Sequence, residues 1–79
     1  MNDKHRKYQE EFLEKMKNHN GFNIINHSYE YASKTLFIYL TFNYDDAPFE
    51  LQELLIKSEL PYTFRYTNPI ERIGELKFE

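Results

Sequence analysis

The sequence predicts a single α+β domain, and two observations carry that prediction. Apolar residues recur at helical spacing over two segments, residues 8–16 and 47–56. Between them, residues 36–43 alternate between an aliphatic and a more polar set with the period of two that is typical of a strand. A chain of 79 residues is too short for two separate cores, so residues 1–79 are expected to form one domain. We expect the order α-β-β-α-β-β, with a four-stranded antiparallel or mixed sheet that carries both helices on one face.

The first helix is predicted over residues 4–19, where one narrow apolar stripe has helical spacing. The stripe consists of Tyr8, Phe12, Leu13 and Met16. Gly21 follows as a residue that adopts a positive φ at low cost, and it is therefore expected to end the helix.

A β-hairpin is predicted from residues 22–31 and 34–44, with its turn centred on Ser33 and Lys34. This register opposes Tyr29 with Ile38 and places the aliphatic residues of the second strand on one core face. The residues expected to join that face from the first strand are Ile25, His27, Tyr29 and Tyr31. His27 is accordingly interpreted as a structural histidine.

The second helix is predicted over residues 47–59, with Asp46 as its N-cap and Pro48 in its first turn. Phe49 and Ile56 are expected to flank its buried leucine stripe. A strand at residues 61–67 follows.

The last part of the predicted fold is a turn and a fourth strand. Residues 68–71 have the form of one capped helical turn, and residues 75–79 form the strand. The helical crossover would leave the second and third strands parallel. Moving the first strand of a ferredoxin-like β-α-β-β-α-β fold to the C-terminus gives the same element order and predicts the strand order 3-4-2-1. The simpler order 1-2-3-4 remains open.

Several chemical classes are disfavoured by the composition. The absence of cysteine excludes a disulfide, a zinc–thiolate site and a thiol nucleophile. None of the histidines at positions 5, 19 and 27 has a second His, Asp or Glu three or four residues on that would make a metal-binding helix, and His5 and His19 are expected to be solvated. Two glycines are too few for a phosphate-binding loop, and no serine lies in a nucleophile motif. We therefore predict no catalytic residue, no metal, no cofactor and no enzyme.

The location and origin of the protein are predicted from its composition. No apolar run is long enough for a membrane span, and the charged start of the chain differs from a signal peptide. We therefore expect a cytoplasmic protein without membrane contact. The abundance of residues with AT-rich codons indicates a low-GC bacterium, its phages or other mobile elements.

The candidate binding residues fall into two groups. On the open face of the predicted sheet, Phe37 and Tyr39 have no place in the core and lie near Arg65. The second group is acidic and comprises Asp45, Asp46, Glu50 and Glu53. We predict a small acidic protein-binding module, an inhibitor or modulator of another protein that comes from a phage or mobile element.

Three alternatives remain open for the two rings. They could stack on single-stranded nucleic acid, with the basic run at residues 4–7 contributing charge. They could instead be covered by a second copy in a homodimer or by the chain's own first helix. The formal net charge of −3 makes nucleic acid the less favoured partner.

Overall fold

The computed structural model describes residues 3–79, with side chains from Arg6 onward, and shows the predicted α-β-β-α-β-β order. Its elements are α1 (Asp3–Lys17), β1 (Phe22–Glu30), β2 (Thr35–Phe42), α2 (Ala47–Ser58), β3 (Tyr62–Asn68) and β4 (Ile73–Phe78). No helix within residues 3–79 is both long and apolar enough to cross a membrane.

The four strands form one sheet in the order β1-β2-β4-β3, and each neighbouring pair is antiparallel. Because β4 lies between β2 and β3, the latter two strands run parallel to each other. This is the order 3-4-2-1 predicted from the permuted ferredoxin-like arrangement, and the simpler order 1-2-3-4 is wrong. The segment between β3 and β4 is the turn of a hairpin, so the expectation of a helical turn at residues 68–71 is wrong. In this turn, the Asn68 side chain accepts the Glu71 N–H at 3.1 Å.

Both helices pack on the same face of the sheet, which we call the covered face, and one apolar core lies between them. The core comprises Phe12, Leu13, Met16, Phe22, Leu36, Ile38, Leu40, Ala47, Leu51, Leu55, Leu60, Leu76 and Phe78. The ring of Phe12 in α1 meets that of Phe78 in β4 edge to face, with centroids 5.1 Å apart. In the α1 stripe, Gln9 is buried, whereas Tyr8 is half exposed, contrary to expectation.

The β1–β2 register differs from the predicted one by two residues, because the turn spans residues 31–34 rather than two residues alone. Tyr29 therefore opposes Leu36, and Lys34 takes a left-handed conformation with φ 55°. A bulge at Ile25 then reverses the alternation of β1. Phe22 consequently enters the core in place of Ile25. The predictions that Ile25 and Tyr31 join the core are wrong, since both are exposed. His27 lies on the covered face, opposite Ile38, as predicted, but its side chain is exposed rather than buried in the core.

Neither glycine has a positive φ, so the expectation that Gly21 ends α1 in this way is wrong. Both glycines instead allow close approaches. A Cβ at Gly21 would lie 3.0 Å from the Tyr44 hydroxyl, and a Cβ at Gly74 would lie 2.6 Å from the Phe64 ring. Asp46 does precede α2, but its side chain makes no capping hydrogen bond.

Candidate functional site

The open face of the sheet, opposite the two helices, carries the residues that alternate with those of the core. The strand register places Tyr39 beside Glu75 and Glu75 beside Arg65, in one row across β2, β4 and β3. In the next row, Phe37 lies beside Lys77. The structure therefore brings together the three open-face residues that the sequence predicted, and it adds Glu75 between them.

Glu75 is the centre of a hydrogen-bonded network on this face. The Tyr39 hydroxyl donates to its Oε2 at 2.9 Å, and the Arg65 Nε donates to its Oε1 at 2.9 Å. The Glu75 side chain is only 8% exposed, whereas that of Arg65 is 74% exposed. Each carboxylate oxygen therefore accepts one hydrogen bond, Oε1 from the Arg65 guanidinium and Oε2 from the Tyr39 hydroxyl. The rest of the guanidinium extends into solvent.

The network shifts the protonation equilibria of its members. The hydrogen bond from Arg65 lowers the pKa of Glu75; burial opposes this shift, and the Tyr39 hydrogen bond adds to it. The bond to Glu75 raises the pKa of Tyr39, and burial acts in the same direction. At neutral pH, Glu75 is thus ionised and Tyr39 is neutral. Glu75 therefore accepts both hydrogen bonds, and Tyr39 and Arg65 donate them.

The rings of Phe37 and Tyr39 are half-buried although no helix covers them. Their neighbours on the sheet bury them: Ser28 opposes Phe37 from β1, and the Lys77 Nζ lies 5.9 Å from the Phe37 ring centroid. The alternative that the first helix covers these rings is wrong, because α1 packs its buried side chains on the opposite face, with Phe78.

The acidic group does not form one uniform surface. Glu50 accepts a hydrogen bond from the Tyr44 hydroxyl at 2.7 Å, and the His19 Nε2 lies 3.2 Å from the same oxygen. Asp45 and Arg72 approach to only 4.0 Å, and both side chains are largely exposed. Such a pair contributes little. Of the four predicted acidic residues, Asp45, Asp46 and Glu53 are exposed, and Glu50 is partly buried.

His19 was expected to be solvated, but it is a structural residue. Its Nδ1 accepts the Gly21 N–H at 2.9 Å, so the ring proton lies on Nε2 and points toward Glu50. The ring also stacks on Phe22, with centroids 4.6 Å apart. The expected solvation of His5 concerns a side chain outside those that the structure describes.

The basic run at residues 4–7 is partly used within the fold. The Arg6 guanidinium lies 4.6 Å from the Tyr29 ring centroid and 5.1 Å from that of Tyr31. Its Nη2 also donates to the Tyr31 hydroxyl at 3.2 Å. Arg6 therefore covers two tyrosines at the end of β1.

A second surface, not expected from the sequence, lies where α2 adjoins β3. We call it the α2–β3 surface and define it by four exposed residues, Phe49, Ile56, Tyr62 and Tyr66. Phe49 and Ile56 are 68% and 62% exposed, so the expectation that they flank the core is wrong. Their spacing of seven residues was the available signal, since it places them on one helix face away from Leu51 and Leu55.

Neither metal-ligating groups nor similarity to known proteins indicates the function of this chain. Among residues 6–79, no group of three or more His, Asp or Glu side chains could hold a metal ion. Comparison of the chain with protein-family models, with curated proteins and with solved structures gave no match. What the protein does must therefore be inferred from its two surfaces.

Proposed function

We propose that this chain is a non-catalytic protein-binding module that docks on another protein through the open face of its sheet. The observation that supports this is the Tyr39–Glu75–Arg65 row, which holds an exposed guanidinium in a fixed position beside half-buried rings. Tyr and Arg are the residues that most often anchor protein interfaces. An anchor that is ordered before binding loses less conformational entropy when the partner arrives.

The charges of this face favour a partner with a carboxylate at the contact. Arg65 donates to Glu75 through Nε, which leaves the terminal nitrogens of its guanidinium directed to solvent. Lys77 adds a second cation over the Phe37 ring, while the Glu75 carboxylate is shielded from solvent. Arg65 and Lys77 thus place two cations on this face of a chain whose formal net charge is −3. An acidic side chain next to an apolar one would complement Arg65 and Phe37.

The composition of the chain favours a particular cellular compartment and genomic origin for this binding module. A chain without cysteine suits a reducing cytoplasm, and its wealth of Phe, Tyr, Ile, Asn and Lys suits an AT-rich phage or mobile element. Small proteins without catalytic groups act by occupying a partner's surface. We therefore propose that this protein inhibits or modulates the partner that it binds.

The test is an affinity capture from a low-GC bacterial lysate with two matched variants. Phe37→Ala with Arg65→Ala removes the open-face anchors, whereas Glu53→Ala with Lys57→Ala removes one charge of each sign from α2. We expect the wild type and the α2 variant to retain the same protein, and the open-face variant to lose it by at least tenfold. Equal capture by both variants, with circular dichroism showing that both are folded, would place the binding site elsewhere.

Single-stranded nucleic acid is the second candidate, favoured by the position of Lys77 over Phe37. The acidic net charge of the chain opposes it. Fluorescence anisotropy with a labelled single-stranded oligonucleotide, beginning at ~50 mM salt, distinguishes a nucleic-acid partner from a protein partner. Phosphate contacts would give an affinity that falls steeply as the salt concentration rises. We expect no binding. Salt-sensitive binding that Phe37→Ala abolishes would make nucleic acid the partner of this face.

A further inference from the structure

We propose that the free edge of β3 pairs with β3 of a second copy of this chain, joining two sheets of four strands into one continuous sheet. The proposal concerns the edge of the sheet and the α2–β3 surface. It is independent of the open face and of the protein that docks there.

The backbone of β3 presents unpaired groups at this edge. The Pro61 carbonyl accepts the Glu79 N–H at 3.4 Å, so these residues form a hydrogen-bonded pair of the β3–β4 ladder. Such pairs alternate along an antiparallel ladder, so the N–H and C=O groups of Thr63 and Arg65 also point toward β4. The backbone groups at positions 62, 64 and 66 therefore point outward. Because β3 is the outermost strand, they have no strand neighbour within residues 3–79.

Two copies of this edge are complementary in an antiparallel register centred on Phe64. If the two-fold axis passes beside Phe64, this residue opposes its own copy and Tyr62 opposes Tyr66 of the second copy. Every outward-pointing residue then meets an outward-pointing residue, and the alternation allows two hydrogen bonds for each of three pairs. An axis beside Arg65 would oppose two guanidinium groups directly, and like charges at that distance are unfavourable. The register centred on Phe64 sets Arg65 against Thr63 instead.

The β3 edge also lacks the features that protect sheet edges from pairing. No lysine and no proline lies between Tyr62 and Tyr66, and the Arg65 guanidinium is held over the open face by Glu75. The irregularity of β3 lies beyond Tyr66, so the outward groups form an unbroken row. At the other edge of the sheet, the bulge at Ile25 interrupts β1 in its middle.

The α2–β3 surface supplies apolar area next to this edge. Tyr62 and Tyr66 are 39% and 45% exposed, and Tyr62 lines a groove with Pro48 and Leu55 of α2. Phe49 and Ile56 directly follow these two residues in α2 and are themselves exposed. With roughly 200 Å² for each large side chain, the exposed parts of the four residues amount to about 400 Å² per copy. Two copies contribute about 800 Å², and the paired backbone raises the total toward the ~1,200 Å² of the smaller stable interfaces.

The experiment measures oligomeric state by sedimentation velocity and native mass spectrometry, with wild-type protein between ~1 and ~200 μM. We expect dimers of twice 9.7 kDa at the upper concentrations. Because each copy carries a net charge of −3, raising the salt concentration should strengthen the dimer, the opposite of its effect on nucleic-acid binding. A wild-type protein that stays monomeric at every concentration and salt condition overturns the proposal.

Charge variants test the register. Tyr62→Lys with Tyr66→Lys opposes lysines across the pairing, and Tyr62→Glu with Tyr66→Glu opposes glutamates, so each variant alone should be at least tenfold weaker in dimerisation. Mixed in equal amounts, the two should form heterodimers, because every lysine then faces a glutamate. The variant Phe37→Ala, which lies in β2 and two strands away from β3, is the control and should dimerise like wild type. Unchanged dimers of the separate charge variants would show that β3 is not the interface.

Hydrogen exchange of the wild type supplies a readout that does not depend on how well the variants fold. The amides of Tyr62, Phe64 and Tyr66 should gain protection as the concentration rises. Those of Thr63 and Arg65, which point toward β4, should be protected at all concentrations. Dimers without added protection at the three outward amides would contradict pairing through this edge.

Discussion

The two faces of the sheet are built from alternate residues of the same four strands, yet different interactions order them. On the covered face, fully buried side chains such as Ile38, Leu76 and Phe78 pack against two helices. On the open face, a carboxylate, a guanidinium and a tyrosine hydroxyl hold one another by directed hydrogen bonds. Apolar burial scales with the area removed from water, whereas exposed charge pairs contribute little. The covered face therefore carries most of the stability, and the open face contributes little of it.

The largest effect is expected from Phe78→Ala on the covered face. The Phe78 side chain is fully buried and meets Phe12 edge to face, so its truncation leaves a cavity and should lower the free energy of unfolding by about 3–5 kcal/mol. Urea denaturation measures the loss. The matched control is Lys77→Ala, one residue away on the open face, for which we expect a change below about 0.5 kcal/mol. Similar losses for the two variants would contradict the difference between the faces.

A medium effect is expected from Gly74→Ala, which adds volume to the covered face. The new methyl group would lie 2.6 Å from the Phe64 ring, so the ring must move, at a cost of about 1–3 kcal/mol. A double-mutant cycle with Phe64→Leu identifies the cause, because the smaller side chain should remove most of the penalty. Additive losses in the cycle would show that Gly74 is required for a different reason.

The smallest effect is expected from Glu75→Gln on the open face, about 1 kcal/mol at neutral pH, since Arg65 is largely exposed and solvent screens its charge. The pKa of folded Glu75 lies below its ordinary value of 4.5. Its ionised form therefore stabilises the fold at pH values above 4.5, and this contribution disappears as the pH falls through the folded pKa. The stability difference between wild type and variant should shrink between pH ~5 and ~3. A difference that stays constant over this range would mean that the Glu75 charge does not stabilise the fold.

The elements and topology were largely predictable because they depend on local patterns. The alternation of Leu36, Ile38 and Leu40 sets the inner face of β2, and Pro61 prevents α2 from continuing. The crossover rule and the need to cover one sheet face restrict the strand order to two alternatives. The parallel orientation of β2 and β3 followed from the same rule.

The details of β1 were not predictable because they depend on tertiary packing. The bulge at Ile25 exchanges the faces of the strand, and both Phe22 and Ile25 are apolar enough for either position. The exposure of Phe49 and Ile56 has a similar origin, since α2 has apolar residues on more than one side and only its position on the sheet decides which are buried.

The open-face residues were predictable and their organisation was not. Phe37, Tyr39 and Arg65 follow from strand alternation, which places them opposite the aliphatic residues. The same alternation places Glu75 on the polar side of its strand but indicates no partner for it. Its role between Tyr39 and Arg65 depends on the pairing of β4 with both β2 and β3, a relation among distant parts of the chain.

The central position of β4 has a consequence for synthesis of the protein on the ribosome. Residues 73–78 are the last strand to be made, yet β2 and β3 both pair with them. Until these residues emerge, the nascent chain has the β1–β2 hairpin and two helices but no strand that can join β3 to the hairpin. Completing the sheet must then bring together residues as distant in the chain as Leu36 and Phe78. Contacts of such high sequence separation slow folding. A nascent chain stopped before Ile73 would therefore lack the strand that holds the sheet together.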